Sequence, residues 1–173
     1  SILALAPDMN EPMVHYYRFF CTEDEAELKK GEESSPLYCF PNRLEDILPL
    51  TKAVECGGNY AAYYLGCLYY DKGLWEKSVA LWEKVKDNIQ LATVYRNLSL
   101  AYYNKLHNEE KAKIAMEKAF SMDECDARVF FELDQLYKTL NLSIEERLKT
   151  MIRHHNLLEE RDDLYTEYIT LLN

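Results

Sequence analysis

The histidines are the side chains of this sequence best suited to acid–base chemistry or metal binding, yet their spacing does not gather them into a site. They stand at His15, His107, His154 and His155. A motif such as HExxH places two histidines four residues apart on one helix face, and no such pair occurs. The adjacent His154 and His155 would point to different faces of any helix. We therefore predict no catalytic histidine and no bound metal or cofactor.

Catalytic nucleophiles and phosphate-binding loops also lack a motif in this sequence. It contains no GxSxG, which would expose a serine on a sharp turn, and no glycine-rich loop that could cradle a phosphate. Two acidic pairs, Glu109-Glu110 and Glu145-Glu146, fall in predicted first helical turns. Negative charge there complements the helix dipole, so we interpret both pairs as structural. The sequence predicts a protein that is not an enzyme.

The cysteines offer neither a disulfide framework nor a zinc site. Their number is odd, and no CxxC pair occurs among them. Cysteines outside disulfides are commonly buried as small apolar residues, so we predict that role for all of them in a reducing, cytoplasmic location. The residues concerned are Cys21, Cys39, Cys56, Cys67 and Cys125.

The charge balance argues against nucleic acid and membrane surfaces as partners. Twenty basic and 30 acidic residues give a net charge of −10, and the basic residues are interspersed with glutamates instead of forming a stripe. The longest apolar run, Tyr60 to Tyr70, is far shorter than the roughly 20 residues that span a bilayer. We expect a protein that binds neither nucleic acid nor membrane.

Composition and apolar periodicity favour an all-α fold. The chain has only 5 glycines and 5 prolines, most of them before residue 59, so few helix breakers interrupt the rest. Apolar residues recur there at helical spacing, as in Leu65, Leu68 and Tyr69. We predict that helices dominate the C-terminal two thirds of the chain.

A repeat of about 34 residues organises that part of the chain. The motif Leu65-Gly66-x-x-Tyr69 returns at offsets of 33 and 35 as Leu98-Ser99-x-x-Tyr102 and Leu133-Asp134-x-x-Tyr137. A second landmark in the following segment is Trp82, then Met116, then Met151. Each copy therefore predicts a helical hairpin. One hairpin cannot bury both of its apolar faces, so successive hairpins are expected to stack.

These residues resemble the tetratricopeptide repeat (TPR), whose first helix carries Leu-Gly then Tyr and whose second helix carries a small residue before an aromatic one. The first copy matches through Ala62, Leu65-Gly66, Tyr69, Ser78 and Trp82, with Ala62 where the family usually has Trp. The resemblance implies a right-handed superhelical solenoid of antiparallel helix pairs. It covers residues 59 to 154 in three copies.

We predict one continuous domain with repeats of unequal regularity. Residues 1–58 are expected to form degenerate helical hairpins and a loop that leads into the solenoid. The clear repeats are predicted at 59–91, 92–125 and 126–160, followed by a half repeat at 161–173.

Local signals predict where several helices begin and end. Gly73 is expected to follow the end of the first repeat helix, and Ser143-x-x-Glu146 is a capping box. Upstream, Met13 to Phe20 predicts a helix, and Thr22-x-x-Glu25 a second capping box for a helix that ends at Gly31. Gly31 to Pro41 is then expected to be a loop.

The flanking segments carry two further expectations. Asn42 is predicted to cap a helix from Arg43 to Glu55, which Pro49 should kink or restrict to its C-terminal half. At the other end, Asp162 to Leu172 predicts the first helix of a fourth unit. Its apolar stripe, with no partner helix to cover it, consists of Leu164, Tyr165, Tyr168, Leu171 and Leu172.

The paired small residues of TPR units allow the two helices of a hairpin to approach closely. Here the pairs are Gly66 with Ser78 and Ser99 with Ala112, but the third copy has Asp134 with Arg147. We hypothesise that a salt bridge replaces close packing in that copy. The alternative is that both charged side chains reach solvent.

The resemblance implies a concave groove lined by the first helices of the hairpins. Tyrosine, phenylalanine and arginine dominate binding energy when an interface buries them, so this surface suits a peptide or protein segment. The alternative is that the tyrosines, 14 in all, only pack between repeats. Carried over by position, the groove residues are Tyr60, Tyr63, Cys67 and Tyr70 in the first repeat, Arg96, Leu100, Tyr103 and Asn104 in the second, and Phe131, Gln135 and Lys138 in the third.

The predicted function is a noncatalytic scaffold for protein–protein interaction. Segments such as Cys39 to Ile47 and Phe131 to Lys138 also resemble the C-terminal TPR region of an uncharacterised family of large bacterial proteins, in which a β-rich segment reminiscent of carbohydrate-active enzymes precedes the repeats. That resemblance implies an alternative role as an accessory domain that docks a catalytic part, and we expect a longer parent protein. Self-association through the uncovered C-terminal helix is a third possibility.

Overall fold

A computed structural model describes residues 11–37 and 39–172, and every regular element within these ranges is helical. The chain forms two compact units that divide after Gln90. The division falls one residue before the predicted boundary between repeats 59–91 and 92–125. An all-α chain of helical hairpins was predicted, and the structure confirms it; the single continuous domain stays a prediction.

The described part of the first unit contains five α-helices and one short 3-10 turn. They are α1 (Pro12–Thr22), α2 (Glu25–Glu33), the 3-10 turn Leu44–Asp46, α3 (Ile47–Glu55), α4 (Asn59–Asp71) and α5 (Trp75–Val85).

The prediction of a capping box at Thr22 is wrong. Thr22 ends α1, and its hydroxyl donates to the Arg18 carbonyl at 2.8 Å. Asp24 caps α2 instead, because its carboxylate accepts the Ala26 N–H at 2.9 Å and adds negative charge at the helix N-terminus. The predicted end of α2 at Gly31 is two residues early. The Tyr16 ring packs against Gly31 so closely that a Cβ there would lie 2.8 Å from Tyr16 Cε1.

Pro49 restricts the following helix as predicted, but Asn42 does not cap it. The backbone N–H of Arg43 donates to Asp46 Oδ2 at 3.0 Å and opens the 3-10 turn. The α-helix α3 then begins at Ile47, which places Pro49 in the first helical turn. A proline is tolerated there because the N–H it lacks would have no intrahelical acceptor.

The N-terminus of α4 is held by a carboxylate from another helix. Glu32 on α2 accepts hydrogen bonds from the backbone N–H groups of Asn59, Tyr60 and Ala61 at 2.7, 2.9 and 2.9 Å. Its Oε1 also accepts the Tyr16 hydroxyl at 2.8 Å. Glu32 therefore supplies the N-cap that Gly58, the residue before α4, lacks.

The α4–α5 hairpin packs closely through its small residues, as the TPR resemblance implies. The turn between the helices contains Gly73 at φ +77°, and its geometry is a Schellman motif with Leu74 N–H bonded to the Tyr69 carbonyl at 2.8 Å. Within the hairpin the Trp82 indole lies against Gly66, where a Cβ would meet Trp82 Nε1 at 2.4 Å.

The described part of the second unit contains six helices. They are α6 (Ala92–Asn104), α7 (Glu109–Met122), α8 (Ala127–Thr139), α9 (Ile144–Arg153), α10 (His155–Leu158) and α11 (Asp162–Leu172). The Ser143 capping box at the start of α9 is confirmed, since Ser143 Oγ accepts the Glu146 N–H at 3.2 Å and the Glu146 carboxylate accepts the Ser143 N–H.

A polar contact joins the two helices in each of the three repeat hairpins, α4–α5, α6–α7 and α8–α9, at the predicted paired positions. Ser78 Oγ donates to the Gly66 carbonyl at 2.7 Å in the first unit. In the second, Ser99 Oγ donates to the Ala112 carbonyl at 2.7 Å, and Arg147 forms two hydrogen bonds to the buried carboxylate of Asp134. The hypothesised Asp134–Arg147 salt bridge is confirmed, and the backbones of α8 and α9 approach each other less closely than those of the other pairs.

Helix α11 has the predicted bounds, but its apolar stripe is only partly uncovered. Leu164 is fully buried, whereas Tyr165 and Leu172 are about half exposed. Tyr168 is half-buried, with its ring 6.0 Å from that of His155. The prediction that nothing covers this stripe is wrong for Leu164, because α9 and α10 pack against α11.

The expected burial of the cysteines is wrong. Cys21, Cys56 and Cys125 are exposed, Cys39 and Cys67 are half-buried, and none of the five forms a disulfide. Burial raises the pKa of the Cys39 thiol to about 11, so this thiol remains protonated at neutral pH.

Candidate functional site

A small pocket of about 250 Å³ opens in the second unit among α6, α7 and α8. Five of the predicted groove residues line it: Leu100, Tyr103, Asn104, Phe131 and Gln135. The remaining lining residues were not among the predicted groove residues; they are Ser99, Met116, Glu132, Leu136 and Thr139.

Helical spacing explains how these side chains come together. Leu100, Tyr103 and Asn104 follow one face of α6, next to the buried stripe that contains Leu98 and Tyr102. Phe131 and Gln135 lie one turn apart on α8 and continue to Thr139. Thr139 follows Gln135 by four residues on the same face of α8. This spacing could therefore have predicted from the sequence that Thr139 lines the pocket.

Two hydroxyl groups of the pocket lining are used by backbone carbonyls. Ser99 Oγ donates to the Ala112 carbonyl at 2.7 Å, and Thr139 Oγ1 donates to the Leu136 carbonyl at 2.8 Å. Met116 from α7 is buried beside them. The pocket therefore presents mainly carbon atoms to whatever enters it.

Gln135 is the exception within this apolar lining. Its Nε2 atom is buried and has no hydrogen-bond partner. Every other buried side-chain nitrogen or oxygen in the described part of the second unit has a partner. A buried donor without an acceptor costs about 1–3 kcal/mol. Gln135 Nε2 is thus a buried donor at the pocket that has no acceptor within the protein.

Arg96, a predicted groove residue, is bound to a glutamate of the next hairpin. Its Nε and Nη2 atoms donate to the two oxygens of Glu132 at 2.5 and 2.6 Å. This bidentate salt bridge connects α6 to α8. No partner for Arg96 was predicted, although opposite charges 36 residues apart, close to one repeat period, could have indicated this contact. Arg96 therefore contributes a structural ion pair at the pocket.

Lys138 is engaged in a second ion-pair network. Its Nζ donates to Glu167 Oε1 at 2.7 Å, and Arg147 donates to Glu167 Oε2 at 3.0 Å. Partial burial alone would raise the pKa of Glu167, but the hydrogen bonds from Lys138 and Arg147 outweigh it and hold that pKa below its usual value. Lys138 is exposed and lies outside the pocket lining.

The four predicted groove residues of the first unit lie on α4 and differ in exposure. Tyr63 is buried, with its ring 5.4 Å from that of Tyr64. Tyr70 is half-buried against Trp82 at 5.7 Å between ring centroids, and burial raises the pKa of its hydroxyl. Tyr60 and Cys67 are half-buried. Tyr63 therefore packs mainly within the unit, and Tyr60, Cys67 and Tyr70 retain surface for a partner.

Neither His154 nor His155 stands in a cluster suited to chemistry. His154 follows the last residue of α9 and packs on Phe120 and Phe130, with ring centroids 5.0 and 5.3 Å away. Among the described residues, no group of three or more His, Cys, Asp or Glu side chains could hold a metal ion. No helix in the same ranges is long and apolar enough to cross a membrane.

Comparison with solved structures identifies the fold class. A crystal structure of the MamA protein matches 94% of this chain and 82% of its own length, with a TM-score of 0.60 at 14% sequence identity. A second crystal structure of MamA matches 87% of this chain and 92% of its own, with a TM-score of 0.52 at 15% identity.

The fold is TPR-like. MamA is itself a TPR-like protein, and at these identities the likeness concerns the fold alone. No family model matches the sequence. A TPR-like helical repeat agrees with the three hairpins α4–α5, α6–α7 and α8–α9 and with the single helix α11 that follows them.

Proposed function

We propose that this chain is a noncatalytic scaffold that binds a segment of a protein on the surface of the second unit where α6 and α8 carry the predicted groove residues. The observation that carries the proposal is the apolar pocket of the second unit, in which Leu100, Tyr103, Asn104, Phe131 and Gln135 converge. TPR-like folds in general serve protein–protein interaction, which supports the same class of function.

Binding of this kind draws its free energy from the burial of apolar and aromatic surface. Tyr103 and Phe131 are the aromatic side chains of the pocket that can supply it, and Tyr60 and Tyr70 on α4 offer a separate aromatic surface within the first unit. An interface of ordinary size buries about 800 Å² on each partner, which is more than the pocket alone offers. The pocket is therefore one anchor point within a larger contact.

Two further roles remain predictions from the sequence. One is an accessory domain that docks the catalytic part of a larger bacterial carbohydrate-active enzyme, and the other is self-association through α11. The exposed faces of Tyr165, Ile169 and Leu172 are the surface that self-association would bury. The cytoplasmic location also stays a prediction.

The test is co-purification with a matched pair of charge variants. Phe131→Asp introduces a charge into the pocket, whereas Ile114→Asp introduces the same charge at an apolar side chain of α7 that is 58% exposed and outside the pocket. We expect wild type and Ile114→Asp to retain the same bound protein and Phe131→Asp to lose it, with all three equally helical by circular dichroism. Equal retention by both variants would contradict the proposal.

A further inference from the structure

The buried Nε2 atom of the half-buried Gln135 is the feature of the pocket that packing does not explain. Its Nε2 atom has no acceptor, although most buried polar groups in proteins have a partner. The hydroxyls around it, Ser99 and Thr139, already donate to backbone carbonyls. An occupant that brought an acceptor to this atom would satisfy a buried donor that the protein itself leaves without a partner.

The size of the pocket limits what the occupant can be. Sites for cofactors and drug-sized ligands usually measure about 300–1,000 Å³, and this pocket measures about 250 Å³. Its lining is mostly apolar and includes Leu100, Met116, Phe131 and Leu136. These dimensions suit one apolar side chain and the peptide group beside it.

The charges around the pocket indicate a neutral acceptor. Arg96 is bound at two points by Glu132, and Lys138 is bound by Glu167. The Arg161 guanidinium lies 5.4 Å from the centre of the Phe131 ring. Arg161 forms a bidentate salt bridge with Asp163. A carboxylate that entered the pocket would lose its hydration, and each of these cations already has a carboxylate partner. Burial of this unpaired charge would therefore cost free energy.

We propose that the pocket binds an internal segment of a partner protein, through one apolar side chain whose adjoining main-chain carbonyl accepts a hydrogen bond from Gln135 Nε2. This inference rests on the proposed function and names the chemistry of the partner. A free C-terminus is disfavoured because its carboxylate would need an unpaired cation. A neutral carbonyl satisfies Gln135 without one.

Two random dodecapeptide libraries test the chemistry of the occupant. In one, both peptide ends are joined to the carrier protein; in the other, the peptide ends in a free carboxylate. Selection against the whole chain should enrich the first library for sequences that share one apolar position and lose binding to Phe131→Asp. Enrichment of the free-carboxylate library alone, or of neither library, would overturn the inference.

The role of Gln135 is then tested with the enriched peptides and the variant Gln135→Met, which keeps the side-chain length and removes the donor. We expect peptide affinity to fall about fivefold or more. The melting temperature of the unliganded variant should rise by about 2–4 °C, because a buried donor without a partner is removed. The control is Gln90→Met, at an exposed glutamine outside the pocket, and it should change neither quantity.

The outcomes separate this inference from the proposed function. If Gln135→Met binds the peptides as wild type does, the hydrogen bond proposed here is absent, while co-purification lost in Phe131→Asp still supports a segment-binding scaffold. If Phe131→Asp retains the co-purified protein, the scaffold proposal itself fails. A purely structural role for Gln135 predicts that Gln135→Met destabilises the unliganded chain and leaves peptide affinity unchanged.

Discussion

Arg147 and Asp134 form a bidentate salt bridge in the interior of the second unit. Arg147 Nε lies 2.9 Å from Asp134 Oδ1, Nη2 lies 2.7 Å from Oδ2, and both side chains are buried. The pair stands where the other two hairpins have small residues. Charge-assisted hydrogen bonds therefore connect α8 to α9 where close packing connects α4 to α5 and α6 to α7.

Loss of Arg147 and loss of Asp134 should lower the free energy of unfolding by different amounts. Arg147→Met leaves the Asp134 carboxylate buried and unpaired, and we expect the free energy of unfolding to fall by about 3–5 kcal/mol. Asp134→Leu should cost less, because Arg147 keeps Glu167 as a partner at 3.0 Å. Urea unfolding monitored by circular dichroism measures both variants.

The double variant, Asp134→Leu with Arg147→Met, is the control for this asymmetry. It removes both buried charges together, so it should be more stable than Arg147→Met alone. If the two single costs simply add in the double variant, the ion pair does not couple the helices as argued.

Glu27 on α2 should make the stability of the first unit depend on pH. Its carboxylate lies 2.8 Å from His15 Nδ1 and 2.5 Å from Lys30 Nζ. The hydrogen bonds from His15 and Lys30 hold the pKa of Glu27 at about 2, below the ordinary 4.5. A lowered pKa means that this stabilisation is fully present above pH 4.5 and is lost as the pH falls towards 2.

Glu27→Gln should therefore lower the melting temperature at pH 7, at a cost of about 1 kcal/mol or less once solvent screening is allowed for. The difference from wild type should shrink between pH 4.5 and 2, the range set by the ordinary and the shifted pKa. Calorimetry across this range measures it, with the exposed Glu25→Gln on the same helix as the control. A difference that does not change with pH would rule out the ionised carboxylate as its source.

Glu32 should contribute far more to the free energy of unfolding than its neighbour Glu33. Glu32→Ala removes the acceptor for three N–H groups of α4 and for the Tyr16 hydroxyl, so we expect a loss of about 2 kcal/mol or more. Hydrogen exchange should also become faster at the first-turn amides of α4. Glu33→Ala, at an exposed side chain of the same helix end, should have little effect. Equal protection of those amides in both variants would contradict the capping role.

The repeat period predicted the parts of the fold that depend on helix spacing. It placed the hairpins and the exact bounds of α11, and the exception at Asp134 and Arg147 indicated an ion pair because acid and base replaced two small residues. The same spacing brought five of the groove residues to one pocket. These features follow from which residues share a helix face, which a sequence records directly.

Features that depend on competition between neighbours could not be predicted in this way. Thr22 and Asp24 are both good N-caps two residues apart, and the choice depends on where α1 ends. Burial of Cys21 or Cys56 depends on which side chains pack over them, not on the cysteine. Glu32 reaches α4 from 27 residues away, so no local pattern indicated that it would cap that helix.

Gly66 on α4 should not tolerate even an added methyl group. A Cβ at this position would lie 2.4 Å from Trp82 Nε1 and 2.7 Å from Trp82 Cδ1, and the indole is fixed by its hydrogen bond to the Tyr63 carbonyl at 3.1 Å. Alanine has the higher helix propensity by about 1 kcal/mol, but overpacking costs about 1–3 kcal/mol or more. We expect Gly66→Ala to lower the free energy of unfolding.

Truncating the indole should reverse that effect. Trp82→Leu alone creates a cavity and loses a hydrogen bond, so it should destabilise the chain by about 3–5 kcal/mol. In that background Gly66→Ala fills part of the space and keeps its gain in helix propensity, so it should be neutral or stabilising. A double-mutant cycle by urea unfolding measures the coupling. Equal costs of Gly66→Ala with and without the indole would show that α4 and α5 do not rely on this contact, and the reason for a glycine in the Leu65-Gly66 motif would lie elsewhere.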